Sequence, residues 1–266
     1  MIFISLFAFI DYVPYLSYLK SFKKANSDTV TMAPTKIFLP FMSYGGMVHT
    51  DYMTSVLELS RCLYGAGVGV CFTTIKCESL VSRGRNGAVA LFLQSDATHI
   101  LFIDTDLKFD PKAVLAMLQL NVGMVGGTYP KKAVDDSAYG MSFANSGRVQ
   151  PTKVDGVYLV DYLPGGFMLI QRSTIEKIQD SGCVAKYTNN LPMYESVEGS
   201  RSEHYDLFPC PIVNGIYLSE DYGFCDACKR AEVPVFMYSN VTFTHYANNY
   251  PFEGNFEEKR RLEKVD

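Results

Sequence analysis

Two carboxylates one residue apart, in Asp104-Thr105-Asp106, are the strongest chemical signal in the sequence. They follow His99-Ile100-Leu101-Phe102-Ile103, a short apolar run of the kind expected of a central strand buried on both faces. Carboxylates spaced this way at one loop can grip a divalent cation and reach a sugar hydroxyl together, and magnesium and manganese suit such oxygen ligands. The tripeptide alone is weak evidence, since about one is expected by chance in a chain of this length and acidity. Its setting carries the argument, because open α/β sheets bind ligands outside the carboxyl ends of their strands. The competing reading, that the two acids only cap the next helix, is weakened by Asp110, which already stands in the capping position before Pro111.

Other residues with chemical potential lie further on. Glu220 and Asp221 follow Ser219 at a helix start, where a carboxylate can act as a general base or simply favour the helix dipole. His245 follows Phe243-Thr244 at the end of an expected strand, a place where a lone histidine is more often structural or exposed, and His49, His99 and His204 carry no chemical signal of their own. Cys225 and Cys228 form a CxxC without a second pair or a nearby histidine, and they read as ordinary half-buried thiols. Gly65, Gly67 and Gly69 follow a helix and precede a strand, the reverse of the dinucleotide fingerprint, which argues against a nicotinamide or flavin enzyme. No GxxxxGK[ST] phosphate loop occurs.

The elements that must position these groups alternate. Ile37 to Met42 reads as a buried strand ending in the turn-forming Ser43-Tyr44-Gly45-Gly46. Tyr52, Val56, Leu59 and Leu63 predict a helix stopped by Gly65-Ala66-Gly67, and Val68 to Ile75 a second strand. A helix from Ser82 to about Ser95, the strand 99–103, a helix begun by Asp110-Pro111 and a strand over 122–126 follow. The pattern then loosens. Strands are expected at 157–162 and 167–170 around Pro164-Gly165-Gly166, a long loop or lid at 181–212, a helix from Ser219 to Ala231 and one final strand from Val233 to Thr244.

With 266 residues, 48% hydrophobic and 20% charged, the chain can bury one α/β domain. A formal charge of -4 supplies no broad basic surface, so nucleic acid is excluded as an expected partner. Seven scattered cysteines suggest a reducing, cytoplasmic compartment. Residues 1–35 differ from the rest. The apolar stretch from Met1 to Ile10 is interrupted by Asp11 and Pro14, too soon for a spanning helix, and lacks the flanks of a secretory signal. Three readings stay open: an interfacial membrane anchor through residues 1–24 helped by Lys20, Lys23 and Lys24, an extra packed helix, or an extension ahead of a start at Met32.

Ser82-Arg83-Gly84-Arg85-Asn86, the amphipathic helix it opens, and then Ile100 to Asp106 resemble the nucleotide-sugar half of GT-A glycosyltransferases, nearest to family-2-like members and the similar enzymes of large DNA viruses. The resemblance covers roughly residues 36–250, is strong over 80–130 and is positional afterwards. It implies a single-domain GT-A fold, a Rossmann-like, mostly parallel sheet flanked by helices, with a nucleotide-sugar half at 36–130, an acceptor half at 131–250 and a C-terminal tail at 251–266. By the same likeness the nucleotide would sit over Ser43 and Tyr44. Mn2+ or Mg2+ would be held by Asp106 and His245 with Asp104, which would also touch ribose or donor sugar beside Thr105. Arg83, Arg85 and Asn86 would face the diphosphate, Gly165 and Gly166 would let the acceptor approach the backbone, and Asp221, or next Glu220, would be the base of an inverting reaction. The implied activity is hexosyl transfer from a nucleotide-diphosphate sugar to a glycan or glycoprotein. Three alternatives remain: a retaining GT-A enzyme, a sugar nucleotidyltransferase, which Ser43-Tyr44-Gly45-Gly46-Met47 suits poorly for want of a basic residue, and a noncatalytic glycan-binding module.

Overall fold

The computed structural model describes residues 34–133, 146–194 and 203–262. The readings of residues 1–33, and parts of the irregular stretch between the expected strands at 122–126 and 157–162 and of the loop at 181–212, fall outside them. The described residues from Thr35 onward fall in one compact unit. In chain order the elements are β1 (Lys36–Ser43), α1 (Thr50–Gly65), β2 (Gly69–Lys76), α2 (Val81–Leu93), β3 (His99–Ile103), β4 (Leu107–Phe109), α3 (Lys112–Leu120) and β5 (Met124–Gly126). Then come β6 (Val149–Pro151), β7 (Val157–Val160), β8 (Phe167–Gln171), α4 (Arg172–Asp180), β9 (Lys186–Thr188), a 3-10 turn (Pro192–Tyr194) and β10 (Glu203–Tyr205). The hairpin β11 (Ile212–Val213) and β12 (Ile216–Tyr217), α5 (Glu220–Arg230), β13 (Val235–Tyr238), β14 (Thr242–Ala247), β15 (Tyr250–Asn255) and α6 (Phe256–Leu262) complete the described chain.

Eight strands form one mixed sheet in the order β2-β1-β3-β8-β5-β13-β7-β6. β1 pairs in parallel with β2 and β3, and β5 with β13, whereas β8 runs antiparallel between β3 and β5 and β7 is antiparallel to both its neighbours. The expectation of a mostly parallel sheet is therefore corrected to a mixed one. Phe167 to Ile170 is buried throughout, and a strand apolar on both faces reads the same whichever way it runs.

Both sheet faces are covered, and the pleat sorts the residues. Ile100 and Phe102 of β3 and Met168 and Ile170 of β8 join one cluster with Ala88, Val89 and Phe92 of α2, Ile175 and Ile178 of α4, and Phe224, Ala227 and Cys228 of α5. The intervening Leu101, Ile103, Phe167 and Leu169 are equally buried but outside that cluster, as the two-residue period requires. Cys225 and Cys228 are thus fully buried core thiols rather than half-buried ones, and neither is paired.

Several boundaries move. The last expected strand divides: Val235 to Tyr238 enters the main sheet, while β14 joins β4 and β15 in a separate three-stranded sheet. β4 is an element that sequence reasoning missed, because three residues are too few to show a period. The segment assigned to a tail carries β15 and α6. The α3 helix begins one residue later than expected, at Lys112, whose amide donates to the Asp110 carboxylate at 2.9 Å. The loop at 181–212 carries the short β9–β10 ladder.

Candidate functional site

In the order β2-β1-β3 the chain leaves β1 toward one side of the sheet and β3 toward the other, which opens a crevice outside the carboxyl ends of these two strands. Asp104-Thr105-Asp106 lies there as a tight turn between β3 and β4, with the Leu107 amide donating to the Asp104 carbonyl at 3.1 Å. Three other segments fix its backbone. The Asp104 amide donates to the Gly166 carbonyl (2.9 Å), the His49 amide to the Thr105 carbonyl (2.9 Å) and the Tyr246 amide to the Asp106 carbonyl (3.0 Å). The His49 and Tyr246 rings stack with centroids 3.7 Å apart, tying the loop after β1 to β14 on the far side of the turn.

A cleft of about 490 Å3 opens at this turn, lined by Asp104, Thr105, Asp106, Met42, Tyr129, Pro164, His245 and the pair Lys131 and Lys132. The β14–β4 ladder sets His245 opposite Leu107, which brings its ring beside Asp106. Nδ1 lies 2.8 Å from the Pro130 carbonyl, an acceptor only, so Nδ1 carries the proton. Nε2 lies 3.5 Å from Asp106 Oδ1, an ion pair when the ring is protonated. The other Asp106 oxygen is ion-paired to Lys132. Burial pushes the Asp106 carboxyl up, but His245 and Lys132 together outweigh it and hold the group below its ordinary value. Among the described residues, no group of three or more His, Cys, Asp or Glu side chains is gathered closely enough to hold a metal ion.

Asp104 is held from behind. The Tyr129 hydroxyl accepts from the Gly166 amide at 2.9 Å and donates to Asp104 Oδ2 at 3.4 Å; burial drives this phenol well above its usual value, so it remains a donor. Arg85 Nη2 is 3.4 Å from Asp104 Oδ1, and its Nη1 donates to the Gly165 carbonyl at 2.7 Å. On the far side Arg85 Nε is 3.4 Å from Glu220 Oε1, an ion pair without hydrogen-bond geometry. The guanidinium lies over the Phe102 and Phe208 rings, and Arg85 is only 4% exposed. Buried between two carboxylates, it braces Asp104 and does not line the cleft.

Several expected contacts are therefore corrected. The Arg83 guanidinium is taken by Glu78 in two 2.8 Å hydrogen bonds and does not reach the cleft. Asn86 is buried, its Oδ1 accepting the Leu207 and Phe208 amides at 3.0 Å each and its Nδ2 donating to Asp206, so it anchors a loop rather than facing a diphosphate. Gly165 and Gly166 are buried as well. A Cβ on Gly165 would meet the Arg85 guanidinium at 2.6 Å, and one on Gly166 would meet Asp104 Oδ2 at 2.3 Å and the Tyr129 hydroxyl at 2.4 Å. Their missing side chains make room for the protein's own residues, not for an acceptor. The oxygens of Asp221 are also spent, Oδ2 on the Gly165 amide at 2.9 Å and Oδ1 on the Tyr222 amide and the Ser219 hydroxyl. Glu220 is less committed, and burial pushes its carboxyl up against the opposing pull of Arg85. Ser43 is the last residue of β1 and Tyr44, 68% exposed, lies in the turn after it, though neither lines the cleft.

Sequence reasoning missed Tyr129, Lys131 and Lys132. A signal existed: they follow β5, whose carboxyl end lies at the same edge of the sheet as that of β3, with only the antiparallel β8 between them. No protein-family model and no curated protein sequence matches this chain. Among the described residues, no helix is long and apolar enough to cross a membrane.

Proposed function

We propose that the chain is a metal-dependent glycosyltransferase of the GT-A type, moving a hexose or deoxyhexose from a UDP- or GDP-type donor to a glycan or protein acceptor. The observation that carries this reading is the Asp106–His245 pair. An imidazole nitrogen, His245 Nε2, and a carboxylate oxygen, Asp106 Oδ1, lie 3.5 Å apart at the wall of a cleft, two ligand atoms that a shared divalent cation would take in place of a proton. With only two such ligands facing each other and Asp104 turned toward Tyr129 and Arg85, the set fits an ion that keeps several waters, such as Mg2+ or Mn2+. A bound cation would supply charge stabilisation to the departing nucleotide diphosphate. The residues of the chain do the rest: Tyr129 and Arg85 hold Asp104 in place, while the backbone bonds to Gly166, His49 and Tyr246 keep the turn from yielding. The cleft volume falls within the range of small-ligand sites, roughly 300–1,000 Å3. For an inverting course the base would be Asp221 or Glu220; the oxygens of Asp221 are engaged by Gly165, Tyr222 and Ser219, and Glu220 is paired with Arg85 and does not line the cleft, so either must be freed to serve. A retaining course needs neither.

The test is a panel of nucleotide sugars with Mn2+, read by melting temperature and by release of free sugar. A donor should stabilise the protein by mass action, and hydrolysis should disappear in Asp106→Ala. Absence of both effects in the intact protein would overturn the proposal. Stabilisation without turnover, even with acceptors supplied, would instead support a noncatalytic binding module. Pyrophosphate release from a nucleoside triphosphate and a sugar 1-phosphate would indicate a nucleotidyltransferase.

A further inference from the structure

Resting on that reading, we propose that Lys132 exchanges its ionic partner during donor binding. It neutralises Asp106 in the metal-free protein and turns to the donor diphosphate, with Lys131 beside it, when Asp106 is engaged by a divalent cation.

Two arginines that sequence reasoning assigns to the diphosphate are unavailable, Arg83 being forked onto Glu78 and Arg85 enclosed between Asp104, Gly165 and Glu220. Among the residues lining the cleft, the cationic side chains are Lys131 and Lys132. Lys132 already spends its charge on Asp106 Oδ2, while His245 faces Oδ1. A divalent ion on Oδ1 draws charge from the carboxylate and repels the ammonium on Oδ2, which weakens the hold of Asp106 on Lys132. A diphosphate in the cleft then offers Lys132 the stronger anion, and its flexible stem lets the charge swing there. Counting the imidazole as neutral, Asp104 and Asp106 are balanced by Lys131 and Lys132, so the lining offers an anion no net attraction. With a dication added the lining carries a surplus of two positive charges, which matches the two negative charges of a nucleoside-diphosphate sugar. Cation and donor would therefore bind with positive coupling, the Lys132 ammonium passing from one anion to the other.

Lys132→Met separates the two roles because it should move two affinities in opposite directions. Mn2+ alone, titrated calorimetrically, should bind about threefold or more tighter once its intramolecular competitor is gone. UDP and GDP, titrated at saturating Mn2+, should bind roughly tenfold weaker for loss of a charge-assisted contact. Lys132→Arg should restore the diphosphate affinity to within about threefold, and Lys131→Met should weaken diphosphate binding while leaving Mn2+ affinity unchanged. Lys132 is partly exposed, and its variants should melt with the parent. Unchanged or weakened Mn2+ binding in Lys132→Met, or unchanged diphosphate binding, overturns the exchange while leaving the glycosyltransferase reading standing. A parent protein that binds no Mn2+ overturns both.

Discussion

Replacing Arg85 with methionine tests the bracing of the site, and the size of the effect follows from the contacts. The substitution keeps the apolar stem over Phe102 and Phe208 but deletes a charged hydrogen bond to the Gly165 carbonyl, worth about 1.5–3 kcal/mol. It also strips the partner from Glu220, whose side chain is only 15% exposed. Breaking a buried ion pair from one side costs about 3–5 kcal/mol, because the remaining charge is uncompensated. The Asp104 contact adds little to that loss, since its side chain is 41% exposed and screened by solvent. The loss should depend on pH. Burial holds the Glu220 carboxyl above its ordinary value of 4.5, and Arg85 opposes that rise. A carboxyl whose folded value is raised contributes stability that is full below the unfolded value and is lost as pH rises through the folded one. Without Arg85 the folded value climbs further and the window of loss extends upward in pH. The deficit of Arg85→Met should therefore approach the hydrogen-bond loss alone, about 1.5–3 kcal/mol, at the acidic end, and grow by up to about 3–5 kcal/mol more toward pH 8. Urea denaturation at pH 5 and pH 8 measures the growth. A deficit under about 1 kcal/mol at pH 8, or one that does not grow between pH 5 and pH 8, would refute the account of Arg85 as a buried brace between Asp104 and Glu220.

Three further outcomes follow from the same packing. Gly166→Ala should lower stability by about 1–3 kcal/mol and weaken Mn2+ binding, because the added Cβ would lie 2.3 Å from Asp104 Oδ2; thermal melts with and without Mn2+ report both effects. Asn86→Ala should cost about 2–4 kcal/mol in chemical denaturation, since the Leu207 and Phe208 amides lose their shared buried acceptor. Iodoacetamide at pH 8 should alkylate the exposed Cys77 and Cys210 first and spare Cys225, whose burial pushes its thiol up to about 12; peptide mass spectrometry of the native protein gives the order.

Much of the fold was legible from local pattern. The run from His99 to Ile103 announced a strand buried on both faces, and the carboxyl-end rule located Asp104 to Asp106 at its mouth without any knowledge of neighbouring strands. The periodic Tyr52, Val56, Leu59 and Leu63 marked α1, and all four are buried. Such features are legible because a buried face imposes its period on the residues that make it. His245 was expected just past the end of a strand and instead lies inside β14, where the β4 pairing sets it beside Asp106.

What the chain could not disclose by itself was the identity of each side chain's partner. Arg83 and Arg85 are two residues apart in one helix, yet Glu78 claims the first while Asp104, Gly165 and Glu220 enclose the second. Nothing in the spacing separates them, because two helical residues so placed point in directions about 200° apart and only the surrounding elements decide which direction holds a cleft. Gly165 and Gly166 signalled close approach, but whether substrate or protein fills the space depends on α2 and Tyr129 arriving from 80 and 37 residues away. The reversal of β8, the joining of β4 to β14, and the meeting of Lys132 with Asp106 are pairings distant along the chain. A residue's type and local period encode its burial and backbone, whereas which charges share a site is settled by how the folded layers bring those ends of strands together.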